Sequence, residues 1–193
     1  MLIKSLAAAA AAAAVIGFAG PAMAANIVGT NHADNLRGTN NNDTIRALAG
    51  ADTIRGRDGF DTIYAGKGND WADGGRWAET IYGGLHNDTL LGDGGNDTIL
   101  GQKGADTIRG EIGPDDLYGG AFDDRVFGGD NSDSILPAGG ADRVWAGAGL
   151  DGVNAAVDGK ADYINCGPGD DSVFLVDDDR DPLDTFVSCE NII

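Results

Sequence analysis

From Asp34 onward an acidic residue recurs at every ninth position: Asp43, Asp52, Asp61, Asp70, Glu79, Asp88, Asp97, Asp106, Asp115, Asp124, Asp133, Asp142 and Asp151. Two positions after each acid stands an apolar residue: Leu36, Ile45, Ile54, Ile63, Ala72, Ile81, Leu90, Ile99, Ile108, Leu117, Val126, Ile135, Val144 and Val153, of which only Ala72 is small. A two-residue insertion then shifts the register, and the step resumes with Asp162 and Ile164, then Asp171 and Val173. Self-similarity at so short a period points to a solenoid, in which each unit buries its apolar side chain against the next.

The unit divides into a turn and a strand. Gly recurs two positions before the acid, at Gly50, Gly59, Gly68, Gly95, Gly104, Gly113, Gly140, Gly149 and Gly169, where a turn with positive φ needs it. The strand follows: in the text Asp-Thr-Ile at 52, 61, 97 and 106 a β-branched residue precedes the apolar one, which suits a pleated surface. Alternation turns the apolar residue inward and its neighbours outward. A unit that turns once and pairs once must alternate sides, so two units complete one coil of 18 residues. Stacked coils make parallel sheets, and the predicted class is all-β.

Composition agrees. Of 31 acidic residues only Glu79, Glu111 and Glu190 are Glu, and 32 residues are Gly, a balance that disfavours helix. The 13 basic residues are scattered among more than twice as many acids, which argues against nucleic-acid binding. A formal net charge of −18 makes cations the expected partners.

Residues 1–24 read as an export signal, with Lys4 as a short positive region, an apolar run from Leu6 to Phe18, and Ala22-Met23-Ala24 as the cleavage site. Gly17, Gly20 and Pro21 interrupt the run too early for a membrane span. The mature chain is expected to be secreted, with no later span.

Units such as GDGGNDTIL at 92–100 and GQKGADTIR at 101–109 resemble the haemolysin-type, or RTX, calcium-binding nonapeptide repeat, G-G-x-G-x-D-x-U-x with U apolar. The resemblance covers residues 30–157 and recurs at 162–175. It implies a right-handed parallel β-roll (β-solenoid) over residues 25–175, with calcium held between successive coils by Asp carboxylates and backbone carbonyls of the turns. Carried over residue by residue, the metal ligands are Asp43, Asp52, Asp61, Asp70, Asp88, Asp97, Asp106, Asp115, Asp124, Asp133 and Asp142. Several turns depart from the pattern. Trp77 and Phe122 stand at a turn Gly position, Glu79 replaces Asp, and Pro137 replaces the first Gly before Asp142, so sites there are expected to be empty. His32, Asn41, His86 and Asn131 also replace the Gly, but Asn and His tolerate positive φ and those turns are expected to survive.

The residue chemistry leads the same way. Calcium takes six to eight oxygen ligands, and Gly-rich turns free carbonyls to point at a shared ion. Transition-metal sites lack the clusters they need, since His32, His86, Cys166 and Cys189 stand at no metal-ligand spacing. The competing reading is turn capping, in which each carboxylate bonds backbone N–H groups without an ion. No H-E-x-x-H, G-x-S-x-G or Gly-rich loop ending in Lys-Ser or Lys-Thr is present, and the repeat accounts for the abundant carboxylates better than acid–base catalysis does. The chain reads as a stand-alone binding module and not an enzyme, although RTX proteins commonly leave the cell through a C-terminal signal.

Residues 176–193 read as a cap, beginning with the acidic stretch at 176–184 and ending in Ile192 and Ile193. Its acid run 177–181 reads as solvated charge rather than an ion site. In an exported protein Cys166 and Cys189 most simply form one disulfide tying the cap to the roll; two free buried thiols are the alternative. A second functional reading is an adhesion or surface-interaction scaffold that displays an outer stripe of Tyr64, Tyr82, Leu100, Tyr118 and Leu136. The opposite face carries Arg37, Arg55, Asp73, Leu91, Arg109, Phe127 and Trp145. Ice binding fits poorly, because the strand text lacks a Thr on each side of the inward residue.

Overall fold

The computed structural model describes residues 23–155, 158–175 and 182–193, and the regular elements among them are all strands. The export segment up to residue 22 and the acidic run 177–181 lie outside the described residues. Nineteen strands of two to six residues run from β1 (Asn26–Val28) to β19 (Asn191–Ile192). Odd-numbered strands form a ten-stranded sheet and even-numbered strands a nine-stranded one, so the chain crosses from one sheet to the other at every turn. All the pairings are parallel, and partners lie 18 residues apart over most of the length, as Ile108 with Val126 and Leu117 with Ile135. The chain is therefore the parallel β-solenoid that the nine-residue period predicts.

The Thr-Ile text forms strands because its alternation suits a sheet with one face buried. In β10 (Thr107–Ile112) Ile108 and Gly110 face inward, whereas Thr107 and Arg109 face outward. The core is a file of single aliphatic side chains from each sheet, Leu36 to Val173, nearly all fully buried. Each coil thus buries at most two large aliphatic groups, and the coil with Ala72 only one.

Counting the acid as the first inward position of a unit, the third, two residues after the aliphatic one, is Gly or Ala in most units. There the pairing is interrupted: between β10 and β12 (Arg125–Asp130), Arg109 pairs with Phe127 and Glu111 with Gly129, but Gly110 and Gly128 between them are left out of the ladder. The same gap recurs between β9 (Thr98–Lys103) and β11 (Asp116–Ala121), at Gly101 and Gly119. A Cβ on Gly101 would lie 2.5 Å from the carbonyl oxygen of Gly119, so that carbonyl is turned out of the ladder toward the neighbouring coil.

The insertion is absorbed without loss of register, for Arg143 pairs with Tyr163 and Gly152 with Ser172 across 20-residue coils. The C-terminal segment then adds one strand to each sheet: β18 (Thr185–Val187) pairs with Tyr163–Asn165 (β16), and β19 pairs with Ser172–Leu175 (β17). Cys166, fully buried, is bonded to Cys189, with Cα atoms 5.2 Å apart. No helix among the described residues is long and apolar enough to cross a membrane.

Candidate metal centre

Period-two alternation places the repeated acid on the same inward face as the apolar residue two positions on. Sixteen such carboxylates, from Asp34 to Asp171, are buried. They stand in two files, one at each edge of the flattened coil. Along one edge the backbone N–H of Asp34 donates to Oδ1 of Asp52 at 2.7 Å, that of Asp52 to Asp70, and so on through Asp88, Asp106, Asp124 and Asp142 to Asp162. The other edge repeats the bond from Asp43 to Asp61 and from Glu79 through Asp97, Asp115, Asp133 and Asp151 to Asp171. One oxygen of each aspartate after Asp43 in these two files is thereby spent on fixing the coil-to-coil register.

The second oxygen has no partner. Oδ2 of Asp52, Asp61, Asp70, Asp88, Asp97, Asp106, Asp115, Asp124, Asp133, Asp142, Asp151, Asp162 and Asp171 is buried and unbonded. A buried unpaired charge is costly, and such a group raises its pKa to escape it. Burial, followed by the field of neighbouring carboxylates, pushes Asp88 and Asp124 up to about 8. It pushes Asp61, Asp115, Asp133 and Asp162 up to about 7, and Asp106, Asp142 and Asp151 up to about 6. The N–H donated from the preceding coil pulls each the other way. A regular array of orphaned anionic oxygens in a folded protein calls for an explanation.

The small third position supplies the space beside them. A Cβ on Gly83 would lie 2.8 Å from Oδ2 of Asp88 and 2.8 Å from the carbonyl oxygen of Gly101 in the next coil. On Gly101 it would lie 2.5 Å from Oδ2 of Asp106. The orphaned oxygen and a glycine wall occur together at Asp61, Asp88, Asp97, Asp106, Asp115, Asp124 and Asp133. At Asp52, Asp70 and Asp142 the residue five positions earlier is Ala47, Ala65 and Pro137, which carry the Cβ that the other cradles lack.

The turns add carbonyl oxygens. Positive φ recurs at two positions of the turn, four and two residues before the acid, as at Gln102 (75°) and Gly104 (150°) before Asp106. Non-glycine residues hold the earlier position in several turns, among them Arg57, Asp93 and Glu111. Such strain persists only where the surroundings impose it. At the glycine-walled positions the orphaned carboxylate oxygen shares its space with a backbone carbonyl oxygen of the next coil, as Asp88 with Gly101 and Asp106 with Gly119. That chemistry fits calcium, a hard cation of six to eight oxygen ligands, and disfavours zinc or copper. No group of three or more His, Cys, Asp or Glu side chains converges among the described residues, so carbonyls must complete any coordination shell.

The structure distributes the sequence-derived candidates unevenly. Asp43 differs from the rest: its Oδ2 accepts the Thr39 N–H at 2.5 Å, and its Oδ1 accepts the Thr39 hydroxyl and the Ala25 N–H. Asp34 is bonded likewise by Thr30. These two follow the turn-capping pattern because a threonine, with a donor of its own, stands where later turns have none. At the replaced turn glycines, Phe122, His86 and Asn131 adopt positive φ, whereas Trp77, His32 and Asn41 do not. Phe122 thus keeps the turn it was expected to disturb, and His32 and Asn41 lie in the capped turns instead. His86 places Nδ1 2.8 Å from the Leu85 carbonyl, as a turn residue. Asp184 and Glu190 were not singled out from the sequence. They continue the two files by accepting the N–H groups of Asp162 and Asp171, and the irregular spacing of the tail hid them.

On the outer surface Tyr64 and Tyr82 stack, with centroids 4.9 Å apart, and Arg46 lies over Tyr64. The opposite sheet carries its own row, Phe127 stacked on Trp145 at 4.7 Å with Tyr163 tilted beyond it.

No curated protein matches the chain. The family model of the RTX calcium-binding nonapeptide repeat matches residues 28–62, 47–76, 82–117, 109–144 and 118–153, which together make up more than half of the sequence. With its nine-residue period, parallel coils and files of inward aspartates, the chain belongs to the RTX calcium-binding nonapeptide repeat family, whose ion is calcium.

Proposed function

We propose that this chain is a secreted calcium-binding β-roll that takes up several ions along its two edges, folds as it does so, and carries no reaction of its own. The observation that supports this reading is the array of buried, unbonded Oδ2 atoms facing glycine-walled cradles at Asp61, Asp88, Asp97, Asp106, Asp115, Asp124 and Asp133. Calcium supplies the positive charge that these anionic oxygens lack. The chain's own groups do the positioning: each Oδ1 is held by the N–H one coil earlier, which aims Oδ2 into the cradle. The adjoining glycine keeps that space open.

Coupling to folding follows from the charge. Without cations the two files bring carboxylates to within about 5 Å of one another at the inter-strand spacing, with only two aliphatic side chains per coil to offset the repulsion. Binding to the folded form alone then stabilises it by mass action. Secretion rests on the N-terminal segment and on the Cys166–Cys189 bond, which oxidising compartments favour. A calcium titration followed by circular dichroism tests the proposal: strand signal is expected to appear with calcium, and a chelated chain with undiminished strand signal and thermal midpoint would refute the coupling.

A display scaffold is the second reading, favoured by the aromatic rows on both outer faces. Replacing Tyr64, Tyr82 and Tyr118 with Ser in saturating calcium tests it through self-association and cell-surface binding. If neither changes, the rows are strand packing.

A further inference from the structure

Two successive turns on one edge of the solenoid carry aromatic residues that the repeat does not ask for. One position before the acid, where Asn42 and Asn96 stand in other coils of this edge, the chain has Phe60; two before, where Gly59 and Gly95 stand, it has Trp77. Neither ring belongs to the core, since each is 53% exposed. The rings meet at 5.7 Å between centroids with planes 60° apart. In that edge-to-face arrangement one ring offers its rim and keeps both faces free of its partner. The rows on the sheets differ, for Tyr64 stacks on Tyr82 and Phe127 on Trp145 face to face. Beside Phe60 and Trp77 lies a cleft of about 350 Å³, the size of a small-molecule site, lined also by Asn40, Asn41, Asn42 and Asp58. It spans three coils, about 10 Å at the inter-strand spacing.

The polar side of the cleft is set by the same turns. Oδ1 of Asn42 accepts the Phe60 N–H at 3.0 Å, which holds the amide and leaves its two N–H bonds to donate. Asn41 donates Nδ2 to the Thr39 hydroxyl at 3.3 Å, leaving its carbonyl oxygen to accept. Asp58 stands 3.9 Å from Nε of Arg76, which offsets its charge. Neutral amides that both donate and accept match vicinal hydroxyl groups, which do the same, and an open ring face suits the C–H face of a sugar. A cationic ligand would need acceptors alone, and a net charge of −18 repels an anionic one. We infer that this cleft binds a neutral saccharide of about two sugar rings, with Trp77 and Phe60 as the stacking platform and Asn40, Asn41, Asn42 and Asp58 bonding its hydroxyls. The buried carboxylates of the same turns point inward, so saccharide and ion use opposite sides of one edge.

The test is a calorimetric titration of the whole chain in saturating calcium with cellobiose, maltose, lactose and mannobiose, beside co-sedimentation with insoluble cellulose and chitin. At least one neutral saccharide is expected to bind, with a dissociation constant on the order of 1 mM for so shallow a cleft. Retention on a polymer identifies a surface glycan as the source, and binding of a free disaccharide alone identifies a soluble sugar; either supports the site. Trp77→Gly and Phe60→Asn restore residues that the repeat uses at those positions, so circular dichroism should show an unchanged strand signal while affinity falls about tenfold or more. Tyr64→Ser, on the sheet face, should bind as the wild type does. Choline and digalacturonate serve as the cationic and anionic probes. The inference is overturned if no neutral saccharide binds, if either charged probe binds more tightly than all of them, or if both W77G and F60N keep wild-type affinity. Should W77G lose strand signal, F60N and Asn40→Ala decide the matter by the same criterion.

Discussion

The backbone N–H of Asp88 donates to Oδ1 of Asp106, 18 residues later, at 2.7 Å, while Oδ2 of the same Asp106 is buried without a partner. One side chain therefore has two separable jobs. One oxygen fixes the stacking of adjacent coils, and the other remains available to an ion.

The two jobs can be separated by Asp106→Asn. Asparagine keeps an acceptor for the Asp88 N–H and replaces the orphaned anionic oxygen with an amide nitrogen. In the presence of chelator the variant should be more stable than the wild type by about 1–2 kcal/mol, because a buried unpaired charge is gone. In calcium the order should reverse, with a higher calcium midpoint. Asp106→Ala removes both functions and should be the weaker variant in either condition. Urea unfolding with and without calcium measures both effects.

The pH dependence of the ion-free chain has a definite sign. Asp88, Asp124, Asp61, Asp115 and Asp133 have folded-state pKa values of about 7 to 8 against 3.8 for the unfolded chain. The folded state therefore binds more protons, and protonation favours it. That contribution is complete below about pH 4 and is lost progressively as pH rises from there through the folded-state values of about 7 to 8. Calcium-depleted protein should gain strand signal between pH 8 and pH 4. The calcium midpoint should rise over the same acidification, since protons and calcium compete for Oδ2. Circular dichroism across that range checks both trends.

Gly101→Ala tests the cradle wall. The added Cβ would meet Oδ2 of Asp106 and the Gly119 carbonyl, each at 2.5 Å, closer than real contacts allow. A cost of about 1–3 kcal/mol is expected from overpacking, together with the loss of one bound ion. The reverse change at a naturally filled position, Ala65→Gly beside Asp70, should leave the fold intact and add an ion. Native mass spectrometry counts the difference.

The Cys166–Cys189 bond closes a loop with a sequence separation of 23. In the chain-entropy model this contributes about 3 kcal/mol. Reduction, or Cys166→Ser, should lower the thermal midpoint of the calcium-loaded protein and release the last strands first, which hydrogen exchange at Phe186 and Ile192 reads directly.

Much of the architecture is legible in the sequence because a strict period leaves the chain few choices. An acid at every ninth position and an apolar residue two further on can share one inward face only if each unit makes one strand and one turn. The 18-residue coil, the parallel pairing and the identity of the core from Leu36 to Val173 follow from that. Asp184 and Glu190 escaped notice because they continue the files from outside the period, at separations of 22 and 19 residues.

What the period could not say is what each carboxylate oxygen touches, since identical letters recur in unlike surroundings. Asp43 and Asp106 occupy the same place in the repeat, yet Thr39 satisfies the first and nothing satisfies Oδ2 of the second. Glu79 looks like a conservative exchange, but neither of its oxygens accepts the Asp61 N–H, the bond that Asp97 and Asp115 each take from the coil before. By itself the sequence determined the coil, its register and the inward acids, because these depend on residue type at fixed spacing. Only the tertiary structure decided which of those acids are capped, walled by glycine or left unpaired, because that depends on contacts between coils a full turn apart.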